Sequence, residues 1–326
     1  MKPFNPYALT VLLASALPLT AHTAATVPLQ RPLRLIVPYV PGGGTDTVAR
    51  LIAPALGEAV GQQVVVDNRP GGSSMIATQL VARATPDGQT IGISDAAFVA
   101  NPGLFDKMPY DTLRDLVPIA IVSSGSMLLV IHPALPVKTL KDLIALAKTL
   151  PGKLTYGTAG NGTATHLAGE QMRWIAQIDI QHIPYKGAGQ SITELLGGHI
   201  SMAFTSPSTA KAHVTSGRLR ALAITSAKRN IAIPEVVTFI EAGFAKVDTQ
   251  TLTTLFAPAG VSARFVNGIN AAVMGATRAG ELRERFQALG YDPESNNPTE
   301  AAARVHTEIE KWRGIIKNSG ARAHGT

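Results

Sequence analysis

Short apolar segments alternate with longer segments of helical spacing along most of the chain. The first apolar run, 33–37, is rich in branched residues and predicts a buried strand. After a Gly-rich loop, the apolar spacing of positions 47–60 predicts a helix that ends at Gly61, with Thr45 or Asp46 as its cap. Because strand and helix alternate in this way, the pattern predicts an α/β fold with a parallel sheet wrapped by helices.

The same alternation continues through most of the sequence. Apolar runs predict further strands at 64–66, 90–93, 119–122, 127–131, 154–157, 180–183, 200–204, 221–225 and 252–256. Helical spacing predicts helices at 75–84, 139–149, 165–175 and 191–196. The last part of the chain, 264–317, has no strand pattern and predicts two or three amphipathic helices.

Composition narrows the class of protein. The 326 residues are 45% hydrophobic and only 16% charged, which excludes an intrinsically disordered chain. At about 100–200 residues per domain, this length predicts roughly two domains. The absence of Cys excludes a disulfide scaffold, a Cys-ligated metal and a cysteine nucleophile.

The net charge of +7 raises the question of a nucleic-acid partner. The basic residues are dispersed rather than clustered, and aromatic residues make up only 5% of the chain. A nucleic-acid surface requires clustered cations and, for single strands, aromatic stacking platforms. We therefore expect no nucleic-acid binding, and a mild attraction for small anions instead.

The first residues have the order of a secretory signal. Lys2 precedes an apolar run, 7–19, and small residues follow from 20 to 26. This order predicts a signal peptide over 1–25 and an exported mature protein. A membrane anchor is the alternative, but the run is shorter than the roughly 20 residues needed to span a bilayer, and Pro18 interrupts it.

Four loops that follow predicted strands are rich in Gly, Ser, Thr and Asn. They are 41–45, 71–74, 158–163 and 186–189. In open α/β sheets ligands bind at the carboxyl ends of strands, where helix N-termini favour a carboxylate or phosphate. Any one of these loops could be an ordinary turn. Four together predict a binding site for a small anion.

Enzyme motifs are mostly absent. The PGGGTD segment at 41–46 lacks the Gly-Lys-Ser/Thr ending of a phosphate-binding loop, and no Gly-x-Ser-x-Gly nucleophile motif occurs. His166 and Glu170 lie four apart on a predicted helix, but no third metal ligand is evident. We interpret them as a capping histidine and a surface glutamate, and we expect no metal and no cofactor.

Several segments, in order, resemble one protein family. The segment LIVPYVPGGGTDTVAR at 35–50 resembles the first strand, loop and helix of the tripartite tricarboxylate transporter substrate-binding proteins, also called Bug receptors. The resemblance continues along essentially the whole chain after the signal. Its further motifs are VVVDNRPGGSS from Val64, ATPDGQTIG from Ala84, YGTAGNGTATHLAGE from Tyr156, HIPYKGAGQSITELLGGHI from His182, IPEVVTFIEAGF from Ile233 and FAPAGVS from Phe256.

The resemblance implies a periplasmic binding protein of two lobes, type II-like, each with a parallel-dominated sheet flanked by helices. Domain 1 would comprise 27–124 plus 251–326 and domain 2 would comprise 125–250, with two hinge strands between them and a ligand cleft that closes. The implied ligand is a small carboxylate: an organic acid, an acidic amino acid or an aromatic carboxylate. The implied partners are membrane transporter subunits or, alternatively, a membrane sensor, and we expect a monomer.

The resemblance and the loop pattern together predict the ligand-binding residues. These are Tyr39, Gly42, Gly43, Gly44, Thr45, Asp46, Gly72, Ser73, Ser74, Asp95, Thr158, Asn161, Gly162, Thr163, His166, Lys186, Gly187 and Thr205.

Some of these positions depart from the family pattern. Ser201 and Thr205 stand where the family usually has Asp, which makes the cleft wall less negative. Asp95 instead adds a carboxylate near the cleft mouth, which would repel an acid or bind an amine.

A secreted esterase or lyase that uses His166 or Lys186 is the remaining enzyme hypothesis. The absence of an activated nucleophile disfavours it.

Overall fold

The computed structural model describes residues 27–42, 44–278 and 280–319. The predicted signal peptide, 1–25, and the predicted site residue Gly43 lie outside the described residues. Among the helices that are described, none combines the length and the apolar character needed to cross a membrane.

Strands and helices alternate through most of the described chain. The strands are β1 (Leu33–Val37), β2 (Val64–Asn68), β3 (Thr90–Ser94), β4 (Leu116–Ser126), β5 (Leu128–Ile131), β6 (Thr155–Thr158), β7 (Gln181–Pro184), β8 (Met202–Thr205), β9 (Arg220–Ile224), β10 (Gln250–Pro258) and β11 (Tyr291–Pro293). The helices are α1 (Gly44–Val60), α2 (Met75–Ala82), α3 (Ala97–Leu104), α4 (Leu140–Thr149), α5 (Ala164–Ala176), α6 (Ala188–Leu196), α7 (Pro207–Thr215), α8 (Ala263–Arg278), α9 (Gly280–Ala288) and α10 (Pro298–Ser319).

Three elements were not predicted from the sequence. The α3 helix contains Pro102, and α7 begins with Pro207 and is rich in polar residues, so neither has a clear apolar stripe. The β11 strand has only three residues, too few for a periodic pattern. Short elements of this kind form because the surrounding structure supports them.

The strands form two sheets. The first has the order β11-β4-β10-β3-β1-β2 and the second has the order β7-β6-β8-β5-β9. In the first sheet β1 is parallel to β2 and β3, whereas β10 is antiparallel to β3 and β4. In the second, β6 is parallel to β7 and β8, whereas β5 is antiparallel to β8 and β9. The two-lobed α/β class is confirmed, but the sheets are mixed, which corrects the prediction that they are parallel-dominated.

Two neighbouring strands lead from the first sheet toward the second. The long β4 strand ends at Ser126, and after Met127 the chain enters the second sheet as β5. The chain returns at Gln250, where β10 pairs antiparallel with β4 over its whole length. The first sheet is therefore built from both ends of the chain and the second from the middle.

The last helix, α10, packs against both halves. Trp312 is fully buried in an apolar cluster that includes Phe98 beside the first sheet and Leu167 beside the second. Lys311 Nζ lies 3.0 Å from Asp248 Oδ1, just before β10 begins. The apolar core is therefore continuous between the two halves on this side of the molecule.

Two helical glycines in different packing environments allow a direct test of the core. A Cβ at Gly169 in α5 would overlap the Tyr156 ring, whereas a Cβ at Gly275 in α8 would meet nothing within 4 Å. We expect Gly169→Ala to lower the free energy of unfolding by about 1–3 kcal/mol through overpacking. Gly275→Ala should raise it by about 0.5–1 kcal/mol, because alanine loses less backbone entropy in a helix. Urea unfolding measures both, and equal effects would contradict this packing.

Candidate ligand-binding site

The carboxyl ends of β1 and β3 place Tyr39 beside Asp95. The Tyr39 hydroxyl donates a hydrogen bond of 2.5 Å to Asp95 Oδ1, and the Ala97 amide donates one of 3.1 Å to the same oxygen. Burial raises the pKa of the Asp95 carboxyl, and these hydrogen bonds only partly offset the effect. Burial and the neighbouring carboxylate together raise the pKa of Tyr39 well above its usual value.

Asp46 organises the loop after β1. Its carboxylate accepts hydrogen bonds from the Gly42 amide at 2.8 Å, Arg50 Nε at 2.9 Å and Asn68 Nδ2 at 2.9 Å. Burial alone would raise the pKa of Asp46, but these donors outweigh it and lower the pKa. The helix begins at Gly44 rather than at 47, so Asp46 lies in its first turn and holds the loop in place.

The loop after β2 is conformationally strained. Gly71 and Gly72 have φ of 119° and 55°, and Ser73 and Ser74 continue with φ of 50° and 69°. Serine in this left-handed region costs about 1–3 kcal/mol and persists only where surrounding contacts enforce it. One such contact is a 2.7 Å hydrogen bond from Asn101 Nδ2 to the Ser73 carbonyl.

The loop after β6 is supported by two histidines. Thr158 Oγ1 lies 2.7 Å from His182 Nε2, and the Gly162 amide donates to His166 Nδ1 at 3.3 Å. The two imidazole rings stack with centroids 4.2 Å apart. Burial lowers the pKa of His166 to about 3, with further lowering by His182, and burial also lowers the pKa of His182 to about 4. Both rings are therefore neutral near pH 7.

The interpretation of His166 and Glu170 as a helix cap and a surface acid is wrong. Thr163 is the N-cap of α5, with its Oγ1 accepting from the His166 amide at 3.5 Å, and His166 itself is buried. Glu170 is also buried, and the Tyr156 hydroxyl donates a hydrogen bond of 2.6 Å to Glu170 Oε1. Helical spacing identified their common face but could not show that this face is covered.

Loops from the two sheets meet directly. Ser73 Oγ donates a 3.2 Å hydrogen bond to the Asn161 carbonyl. A Cβ at Gly162 would lie 3.2 Å from Leu104 Cδ1 and 3.3 Å from Asn101 Oδ1, so this loop approaches α3 closely. Since each contact joins a segment that follows β2 or β3 to the loop that follows β6, the strand ends of both sheets face a common region.

Some of the buried polar atoms without partners lie near these strand ends. Among the described residues, the hydroxyls of Ser74, Ser94 and Thr205 are buried and accept or donate no hydrogen bond. Ser94 is the last residue of β3. Extending the parallel register of β6 and β8 places Thr205 beside the loop that follows Thr158. An unpaired buried hydroxyl costs about 1–3 kcal/mol, so a bound group that pairs with it is favoured.

Other predicted site residues lie at the edge of this arrangement or have a structural role. Lys186 is exposed, and its amide donates to the Gln190 side chain at 3.2 Å. Gly187, with φ of 150°, precedes α6, and Gly42, with φ of 85°, is exposed in its turn. Thr45 is buried in the first turn of α1.

In the part of the chain that is described, no three His, Cys, Asp or Glu side chains are grouped to hold a metal ion.

Several residues of the site were missed from the sequence, among them Ser94 and the Asp46 partners Arg50 and Asn68. Asn101 and His182 support the two facing loops, and Tyr291 packs its ring against Gly125 with its hydroxyl directed at Gly44. Burial and Asp95 raise the pKa of Tyr291 to about 12. Tyr291 comes from β11, nearly 200 residues beyond Asp95, so no local pattern connects the two.

Two α/β units whose strand-end loops face each other define a bilobal binding protein. The model of the tripartite tricarboxylate transporter family receptor matches residues 48–321, and the chain belongs to this family of receptors rather than to an enzyme class. BugT of Bordetella pertussis is 33% identical over 294 residues, covering 90% of each chain.

Solved structures agree with this assignment. An R. palustris protein determined with adipate has 31% identity and a TM-score of 0.83, over 89% of this chain and 98% of that one. MatC from Rhodopseudomonas palustris with bound malate has 28% identity and a TM-score of 0.80, over 88% of this chain and 99% of that one.

The histidine pair predicts a pH dependence of stability. Since the folded state lowers both pKa values from 6.5, the unfolded chain takes up protons first as pH falls. This contribution is complete above about pH 7 and is lost between pH 6.5 and about 3–4, by up to about 1.4 kcal/mol per pH unit for each ring. Urea unfolding between pH 7.5 and 4 should show it. His182→Gln should flatten the slope and the exposed control His199→Gln should not; the same slope in all three proteins would contradict the assignment.

Proposed function

We propose that this chain is an exported solute-binding protein that captures a small carboxylate between domain 1 (27–124 plus 251–326) and domain 2 (125–250). The observation that carries the proposal is the contact between the loop after β2 and the loop after β6, with buried, unpaired hydroxyls at the nearby ends of β3 and β8. Cleavage of 1–25 would release the mature protein into the periplasm, and a membrane transporter would receive the ligand.

The ligand class is supported by two relatives. One was determined with adipate and the other with malate, and both ligands are dicarboxylates. At 31% and 28% identity these relatives support small organic acids as a class rather than one particular acid. Cleavage of 1–25 removes Lys2, so the net charge falls from +7 to +6, which is still consistent with attraction of anions.

Carboxylate capture requires hydrogen-bond donors and no covalent chemistry. The α5 helix begins at Ala164, so its first amide groups carry a partial positive charge beside the 158–163 loop. The Asn161 carbonyl accepts from Ser73, and its half-buried side chain could supply a further amide donor to a ligand. Closing the two domains would remove water from these donors and strengthen each charge-assisted hydrogen bond.

The contact between Ser73 and Asn161 connects the two domains at the ligand side. Because this contact is a single hydrogen bond, it can form and break with each binding event. In this proposal the domains rotate about β4 and β10, which lead from one sheet to the other.

Thr205 provides a test that separates binding from folding. Calorimetry with succinate, malate, glutarate, adipate, citrate, benzoate, L-aspartate and L-glutamate should identify at least one ligand. Thr205→Val removes a buried hydroxyl that has no protein partner, so we expect unchanged or higher thermal stability and about tenfold weaker binding.

The matched control is Thr112→Val, which removes another buried and unpaired hydroxyl in the turn before β4. Its affinity should equal that of the unmodified protein. If no acid binds and none raises the melting temperature, the proposed function is wrong. If both valine variants weaken binding equally, Thr205 does not contact the ligand.

A further inference from the structure

Asp95 is a half-buried acid that lacks the cationic partner that several other buried or half-buried acids have. Asp46, Asp67, Glu170 and Glu308 each have an arginine nitrogen within 4 Å. Within the described residues, Asp95 forms no ion pair with any lysine, arginine or histidine. A carboxylate taken out of water without a cation is costly, and proteins usually pair it.

The surroundings of Asp95 supply hydrogen bonds but no positive charge. Tyr39 and the Ala97 amide both donate to Oδ1, and no other described residue donates a hydrogen bond to this carboxylate. Tyr291 also lies close enough to interact with Asp95, and its hydroxyl carries no charge near pH 7, since burial and Asp95 raise its pKa further, to about 12. One oxygen of the carboxylate is therefore held in position while the other remains open to a further donor.

Asp95 also lies at the ligand side of the first sheet. It directly follows β3, and its partner Tyr39 follows β1, so both occupy the edge that carries the 71–74 loop. That loop touches Asn161 of the second half. A ligand held between the two halves would thus have Asp95 on one side and the N-terminus of α5 on the other.

We infer that the ligand itself supplies the missing cation, and that Asp95 is a specificity-determining residue that selects a carboxylate bearing an ammonium group, that is, an amino acid zwitterion. This inference rests on the proposed function and narrows its ligand class. The ammonium would donate to Asp95 Oδ2, and the carboxylate would meet the positive end of α5. The opposite polarity of the two sides would orient the ligand and disfavour a dianion of the same length.

A purely structural role is the competing explanation, since Asp95 also accepts a bond from the first turn of α3. Asp95→Asn distinguishes the two. Asparagine keeps an acceptor for Tyr39 and Ala97 but removes the charge. The control is Asp106→Asn, which changes the net charge equally at an exposed acid near the end of α3.

Matched pairs of ligands isolate the ammonium group. Calorimetry would compare L-aspartate with succinate, L-glutamate with glutarate, and L-norvaline with pentanoate, on the unmodified protein and both variants. We expect the amino acid of at least one pair to bind about tenfold or more tightly than its partner. Asp95→Asn should abolish or reverse that preference with little change in melting temperature, and Asp106→Asn should preserve it.

The outcomes separate this inference from the proposed function. If at least one acid of the panel binds but no amino acid of these pairs binds more tightly than its partner, the inference is overturned and the proposed function stands. If the preference exists but survives in Asp95→Asn, the inference is also overturned, because another group recognises the ammonium. If no member of these pairs and no acid of the wider panel binds, the proposed function itself fails.

Discussion

The antiparallel pairing of β4 with β10 is the interaction on which the rest of the structure depends. These strands lie side by side from Leu116 and Pro258 to Ser126 and Gln250, and the chain crosses toward the second sheet at that end. Their register shifts between Thr253 and Thr254 and again between Leu255 and Phe256. Irregularities of this kind increase local twist. Because both crossings occur together, the strand ends of the two sheets are brought face to face.

Polar groups on the ligand side are held by neighbours rather than by solvent. Asp46 accepts from three donors, and the loop after β6 uses His166 and His182 as neutral partners. Neutral imidazoles suit this role because a charged ring would be costly to bury. The hydroxyls of Ser74, Ser94 and Thr205 lack such partners, and a ligand at these strand ends would supply them.

Much of this arrangement could be predicted from the sequence, and the failures have physical causes. Apolar periodicity located the strands of both sheets and most helices, because burial of one face is a local property of the chain. It could not give strand direction, since β5 and β10 become antiparallel through long-range pairing. The Gly-rich loops were identified because positive φ favours glycine at Gly71 and Gly162. The roles of Tyr291, Asn101 and His182 depend on tertiary contacts that no local pattern encodes.

The placement of α10 has a mechanical consequence. Trp312 is buried among side chains from both halves, and Lys311 is paired with Asp248 on that side. Separating the halves there would expose apolar surface at about 25 cal/mol per Å², whereas separating Ser73 from Asn161 breaks one hydrogen bond. The two halves are therefore joined by an apolar core at α10, and their facing loops meet through polar contacts. If the halves close on a ligand as proposed, a substitution in the apolar core at α10 would change the balance between open and closed forms. It would thereby change the measured affinity without contacting the ligand.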